Sequence, residues 1–303
     1  MRIFENASFT FIQRRKVGYL VSGILILLSI VSLATRGLEL GIDFRGGMEF
    51  VVESSTLLDV NQVTGELAGV LGSEPEVKTF GENALLISTA SEADINEVES
   101  SIITQIRASF PNETHDVIKT DVVGPRFADD LKRGAIQALL ASLLVIFLYI
   151  FFRFEWRFSV GAVTALAHDV TITLGLFSLL HGLVPFSLEI NQAIIAAFLT
   201  IVGYSLNDTV VVFDRIREYS NLFKTEAYDK VVNRSINNTL SRTIITSGTT
   251  LLVVSTLFIF GSGALRGFAF ALLVGVIIGT YSSIFVASPV VVELRNRAAA
   301  ARK

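Results

Sequence analysis

Six stretches of this chain, at residues 17–34, 134–152, 158–180, 190–213, 243–265 and 267–292, are long and apolar enough to cross a bilayer. About 20 apolar residues in a helix span the hydrocarbon core, and lipid offers nothing to hydrogen-bond an open backbone. The sequence therefore predicts a membrane-embedded all-α bundle of six helices. Composition agrees, since 51% of the 303 residues are hydrophobic, 17% are charged and the mean hydropathy is +0.59, which excludes an ordinary soluble domain. The one long hydrophilic stretch, residues 35–133, lies between the first apolar run and the other five. Four regions follow: 1–34 with the first span, 35–133 as an inserted domain, 134–294 with spans two to six, and a tail at 295–303.

Lys and Arg set the orientation, because short cytoplasmic loops and ends carry the excess. One side would hold Arg2, Arg14, Arg15, Lys16, Arg153, Arg157, Arg215, Arg217, Lys224, Lys230, Arg234, Arg242, Arg295, Arg297, Arg302 and Lys303. The opposite short loops hold only Arg266. Both termini are expected in the cytoplasm and residues 35–133 outside. The first run, preceded by basic residues and ending in Ser32-Leu33-Ala34, could be a cleavable signal, but it exceeds the usual ~7 to 15 residue core and reads as an uncleaved anchor. With no cysteine the chain cannot form disulfides, and a net charge of -3 lacks the basic excess of a nucleic-acid binder.

Inside 35–133 the periodicity changes to short β-rich runs. Strands are predicted at 48–54, 77–80, 84–89 and 115–123, with helices at 57–71 and 94–110, the second carrying Ile95, Val98, Ile102 and Ile106 at helical spacing. A βαββαβ order with two helices on one face of an antiparallel sheet would make an α+β, ferredoxin-like domain. Gly41-Ile42-Asp43-Phe44-Arg45-Gly46-Gly47 stands at its entrance. The glycines permit a tight turn beside the membrane or a hinge that transmits motion. Gly41, Asp43, Gly46 and Gly47 are the hinge candidates, and the segment is expected to open no helix and to bind no phosphate.

Charge inside an apolar run marks where chemistry could occur, since a central ionised Asp costs roughly 2.5–3.5 kcal/mol on insertion scales. Asp208 is the one charged residue between Ile190 and Phe213, with Ser205, Asn207 and Thr209 nearby and Gly203 expected to let another helix approach. Counting back from Asp214, it lies ~9 Å inside the span, and Arg242, opening the fifth run at the same side, is a plausible ion-pair partner. In the third run His168 and Asp169 stand between Thr164 and Thr171. Adjacent side chains are expected to point apart, one toward a polar interior and the other toward a neighbouring helix. Asp208, Arg242, Asp169, His168 and Asn207 are thus the proton-relay candidates, against interhelical hydrogen bonding or interface anchoring.

Arg153, Glu155, Trp156 and Arg157 read as an anchoring turn, Asp214 to Glu218 as a continuation of the fourth helix into water, Gly261, Ser262 and Gly263 with Gly267, Gly275 and Gly279 as close packing or a short external turn, and Glu82 and Glu92 as solvated surface. No metal cluster, serine triad, cysteine nucleophile or nucleotide motif is visible, so neither an enzyme nor a cofactor is expected.

Gly41-Ile-Asp-Phe-Arg-Gly-Gly47, Val122-Val-Gly-Pro125, Arg153-Phe-Glu-Trp-Arg157, Ala167-His-Asp-Val170, Tyr204 through Glu218 and Ser241 through Gly248 closely resemble, in the same order, the SecD/SecF family of bacterial protein-export membrane proteins. The resemblance implies a six-helix subunit that pairs with SecD into a unit like the resistance-nodulation-division transporters. Such a unit would sit in the inner membrane beside the SecYEG translocon, with YajC and YidC as further candidate neighbours. It would act after SecA and use the proton motive force to draw preproteins into the periplasm. By position, Asp208 and Arg242 match the family's relay pair, and His168 with Asp169 its third-span motif. The residues themselves leave two other classes open: half of a proton-coupled small-molecule or lipid exporter, and a non-transporting translocon scaffold.

Overall fold

A computed structural model describes residues 8–72, 75–91, 93–261 and 263–300; Arg2, Glu92, Ser262, Arg302 and Lys303 lie outside them. Among the described residues six helices are long and apolar enough to cross a membrane. They are α1 (Arg15–Arg36), α5 (Pro125–Arg153), α6 (Trp156–Leu180), α7 (Gln192–Leu222), α8 (Tyr228–Phe260) and a last span built of α9 (Gly263–Ser282), a π-turn (Ser283–Ala287) and α10 (Ser288–Ala300). Several outrun the apolar runs that announced them. Helix α5 begins nine residues before residue 134, and α8 fifteen before residue 243, because polar helix-forming turns such as Tyr228–Arg242 continue the hydrogen-bond ladder into water.

Burial divides the spans into an inner and an outer set. About half of each central window is buried in α6, α7 and the last span (56, 44 and 50%), against 22, 6 and 17% in α1, α5 and α8. The interior is therefore a three-helix core, and the outer helices turn apolar faces to lipid or to another subunit. Small residues allow the close contacts that drive association where no hydrophobic effect operates. Gly161 lies against the Ala287 carbonyl, Gly175 against Ser29, Gly275 against Ile201 and Gly279 against Ser205. Gly203, expected to serve this purpose, faces open space.

Between α1 and α5 lie a single helical turn α2 (Ile42–Arg45), then β1 (Gly47–Ser54), α3 (Val60–Leu71), β2 (Glu76–Phe80), β3 (Ala84–Thr89), α4 (Ile95–Ser109) and β4 (His115–Val123). The strands form one antiparallel sheet in the order β2-β3-β1-β4. Alternation sends Met48, Phe50 and Val52 of β1 and Leu85 and Ile87 of β3 to one face, where Val63 and Leu67 of α3 and Val98, Ile102 and Ile106 of α4 cover them. Val51, Ala84 and Leu86 pack together apart from this core. Each helix opens on an aspartate: Asp59 accepts from the Gln62 N–H and Asp94 from the Asn96 N–H, both at 2.9 Å.

The opposite end of the bundle is closed by the first described residues. Asn237 grips Phe9 through both its N–H and carbonyl (2.9 and 2.8 Å), and Asn233 accepts from the Ile12 N–H at 2.9 Å.

Candidate functional site

The Gly41–Gly47 segment joins the sheet to the spans. Contrary to the sequence expectation, a helical turn does open there, with Gly41 before it and Gly46 after it. Gly46 and Gly47 have φ of 76° and 127°, and a Cβ at Gly47 would collide with the Thr89 carbonyl. Phe44 is buried among Phe177, Ile190, Ile194 and Phe198. Asp43 Oδ2 accepts from the backbone N–H of Gln192 (2.9 Å), the first residue of α7, beside the N-cap Asn191. Leu40 pairs in parallel with Ile190, through Gly41 N–H to Ile190 O (2.9 Å) and Ile190 N–H to Glu39 O (2.8 Å). The entrance to the inserted domain is thus bonded to the start of the helix that carries Asp208.

Ion pairs reinforce this junction. Lys78 on β2 binds Glu189 (2.6 Å) and Glu76 (2.5 Å), while Arg45 binds Glu76 (3.1 Å) and Glu39. Glu49 on β1 stands close by. Burial, helped by the negative charge of Glu189 and opposed by Lys119, pushes its carboxyl up to about 7.

Within the spans both aspartates are buried, Asp169 at 1% exposure and Asp208 at 3%. Asp169 Oδ2 accepts from Ser205 Oγ of α7 (2.6 Å) and Ser282 Oγ of α9 (2.7 Å). Its Oδ1 meets His168 Nδ1 at 2.8 Å. The expectation that these adjacent side chains point apart therefore fails, since the imidazole and the carboxylate are hydrogen-bonded to each other. His168 Nε2 bonds Ser22 Oγ of α1 (3.0 Å), Ser22 bonds Tyr281 Oη (3.1 Å), and Tyr281 donates to the Gly18 carbonyl (2.8 Å). Thr164 and Thr171 take no part, each donating to a carbonyl of its own helix.

Asp208 Oδ2 accepts from Ser247 Oγ of α8 (3.2 Å), and Ser247 Oγ lies 2.7 Å from Thr280 Oγ1 of α9. Among the described residues no ion pair within 4 Å joins Asp208 to Arg242. Arg242 instead lines a cavity of about 340 Å³ with Tyr149, Arg153, Asp214, Arg215 and Asn238. Asn207 is exposed on the outer side of α7, away from the buried Asp208. Ser22, Ser247, Thr280, Tyr281 and Ser282 complete a network in which sequence reasoning had found only the acids, His168 and Ser205. The one sequence signal for them is the run of hydroxyls from Thr280 to Ser283 inside a span.

Six apolar helices, a small antiparallel sheet and two buried carboxylates held by hydroxyl groups define a multi-pass membrane protein of the transport class, with no metal-binding cluster among the described residues. The family model for the protein export membrane protein SecD/SecF C-terminal region matches residues 103–297, and that for the SecD/SecF GG motif matches residues 31–56. The chain belongs to this protein-export family, and within it to the SecF branch. It is 68% identical over 303 residues to protein translocase subunit SecF of Rhodothermus marinus, covering all of this chain and 98% of that one. Identity to the SecF subunit of Desulfurispirillum indicum is 43%, over 95% and 92% of the two chains. The crystal structure of SecDF from Thermus thermophilus, a translocon-associated membrane protein, superimposes with a TM-score of 0.86 at 37% identity. That match covers 98% of this chain and 40% of SecDF. Against SecDF in its Super-membrane-facing form the TM-score is 0.72 over the same shares. The chain is thus a non-enzymatic component of protein transport.

Proposed function

We propose that this chain, joined to a SecD-type partner, couples the proton motive force to late preprotein translocation through Asp208, Asp169 and His168, with Arg242 at the wall of the entry cavity. Two carboxylates buried in the spans without a Lys or Arg in ion-pair contact carry this reading. A permanent charge there is costly, and interconversion between neutral and ionised forms is what a relay requires. The hydroxyl chains can reverse. With Asp208 ionised, Thr280 donates to Ser247 and Ser247 to Asp208; with Asp208 protonated, the order runs outward and ends on the Val276 carbonyl, which Thr280 reaches at 2.7 Å.

A partner is supported by what the outer helices leave uncovered. Thr200, Gly203 and Asn207 on α7 and Thr249 on α8 are exposed within the spans, where lipid cannot satisfy an amide. The name SecDF and the 40% share of that chain make a SecD-like half the natural cover, and a resistance-nodulation-division-like pair of halves the natural whole. The strand order supports a ferredoxin-like reading of the inserted domain, with 35–133 as its bounds. The distribution of Lys and Arg supports placing that domain in the periplasm and both ends in the cytoplasm. That SecDF is a translocon-associated membrane protein supports an association of this chain with the SecYEG translocon.

The test is Asp208→Asn in the full chain, reconstituted with its SecD-type partner and a translocon in vesicles. Preprotein export is measured with and without a proton gradient. Loss of the gradient-dependent part with assembly intact is expected. Unchanged gradient dependence would overturn the relay and favour a scaffold.

A further inference from the structure

Thr280, Tyr281 and Ser282 are consecutive in α9, and each serves a different part of the buried network. Thr280 continues the chain from Asp208 through Ser247 of α8. Tyr281 continues the chain from His168 through Ser22 of α1. Ser282 donates directly to Asp169. At about 100° per residue, three neighbouring positions on a helix point in three directions, here toward three different spans. The next residues, Ser283–Ala287, form the π-turn. A π-turn is the kind of local irregularity that concentrates at working sites. The turn is anchored by its aromatic side chain: Phe285 stacks on Tyr281 at 5.1 Å and Tyr281 on His168 at 6.1 Å between ring centroids.

We propose that the Thr280-Tyr281-Ser282 triplet is a shared positioning element that couples the protonation of Asp208 to that of the His168–Asp169 pair, the π-turn providing its rotation. This rests on the proton-coupled reading above. When Asp208 gains a proton it donates to Ser247, Ser247 to Thr280 and Thr280 to the Val276 carbonyl. No hydroxyl gains or loses a proton overall. The reorientation pulls on Thr280, and the backbone carries that movement to Tyr281 and Ser282. When His168 is cationic its Nε2–H donates to Ser22, Ser22 to Tyr281 and Tyr281 to the Gly18 carbonyl; when it is neutral Ser22 donates to Nε2. The titratable groups bonded or stacked to the triplet and its hydroxyl partners are His168 and Asp169 on α6 and Asp208 on α7, with the charge of Arg242 on α8 reaching Asp208 at longer range. The other partners are hydroxyls and carbonyls.

The experiment measures gradient-dependent preprotein export against pH, in vesicles holding the full chain, its SecD-type partner and a translocon. Thr280→Val, Tyr281→Phe and Ser282→Ala are compared with the parent, with Thr280→Ser as the variant that keeps the hydroxyl. Ser282→Ala removes a hydrogen bond to a carboxylate and should shift the pH midpoint by about one unit; Thr280→Val and Tyr281→Phe remove bonds that lie one hydroxyl away from Asp208 and His168 and should shift it by less. Thr280→Ser should restore the parent midpoint, and the shift in Thr280→Val/Ser282→Ala should differ from the sum of the single shifts. Midpoints that stay in place while export falls equally at every pH would make the triplet mere packing and overturn the proposal. Additive shifts would overturn the coupling. If Asp208→Asn retains its gradient dependence, the relay and the coupling fall together. If Asp208→Asn loses it but the triplet midpoints stay put, the coupling alone falls.

Discussion

A carboxylate in a membrane needs company, and here the company is hydroxyl groups. Ser205 and Ser282 on Asp169, and Ser247 on Asp208, offer hydrogen bonds without the permanent countercharge that would hold an aspartate ionised. The aspartates were legible in the sequence because a charge in an apolar run is energetically expensive and so stands out. Their partners were not legible. A mid-span Ser or Thr can bond its own helix cheaply, as Thr171 and Thr200 do, and nothing in the sequence separates those from Ser247 until the next helix is in place. Glycines show the same asymmetry. Gly203 suggested close approach and has none, whereas the α1–α6 contact depends on Gly175, whose added Cβ would overlap Ser29. Gly175→Ala should destabilise the protein by about 1–3 kcal/mol, the usual cost of overpacking. Thermal unfolding in detergent checks this, with Ser29→Gly recovering part of the loss.

At the scale of elements, the six spans were legible because bilayer thickness sets a minimum length for apolar runs. Their ends were not, because hydropathy reports the lipid boundary and a helix ends only where its backbone finds other partners. The βαββαβ order followed from a change of periodicity, which a short sheet cannot hide. The single turn of α2 was missed, since two flanking glycines speak against a helix and four residues are too few for a periodic pattern. That turn orients Asp43 toward the first N–H of α7, where a carboxylate satisfies an orphan donor and complements the helix dipole. Asp43→Ala should cost about 1 kcal/mol of stability. Hydrogen exchange should rise in the first turn of α7 and remain unchanged in α3, which has its own cap in Asp59.

For the whole molecule, the junction between sheet and spans is a titratable surface. Glu49 holds its proton up to about 7, above its ordinary value near 4.5. The folded protein therefore binds more protons than the unfolded chain between these values, and the contribution of this group to stability falls as pH rises through that window. The thermal unfolding midpoint should drop from pH 4.5 toward pH 7.5 more steeply in the parent than in Glu49→Gln; equal slopes would show that other groups dominate. Glu49 is only partly buried, so solvent screening reduces the size of the effect.

The bond between Asp43 and the start of α7 has a mechanical consequence. Asp208 lies sixteen residues along that helix from Gln192, about 24 Å of rigid rod. A tug on the inserted domain enters α7 at its tip and is delivered as axial strain to the turn that holds the acid. Under the proton coupling proposed above, a polypeptide snagged on the inserted domain would act as a load on the helix that holds Asp208, and stalled cargo would throttle proton flow.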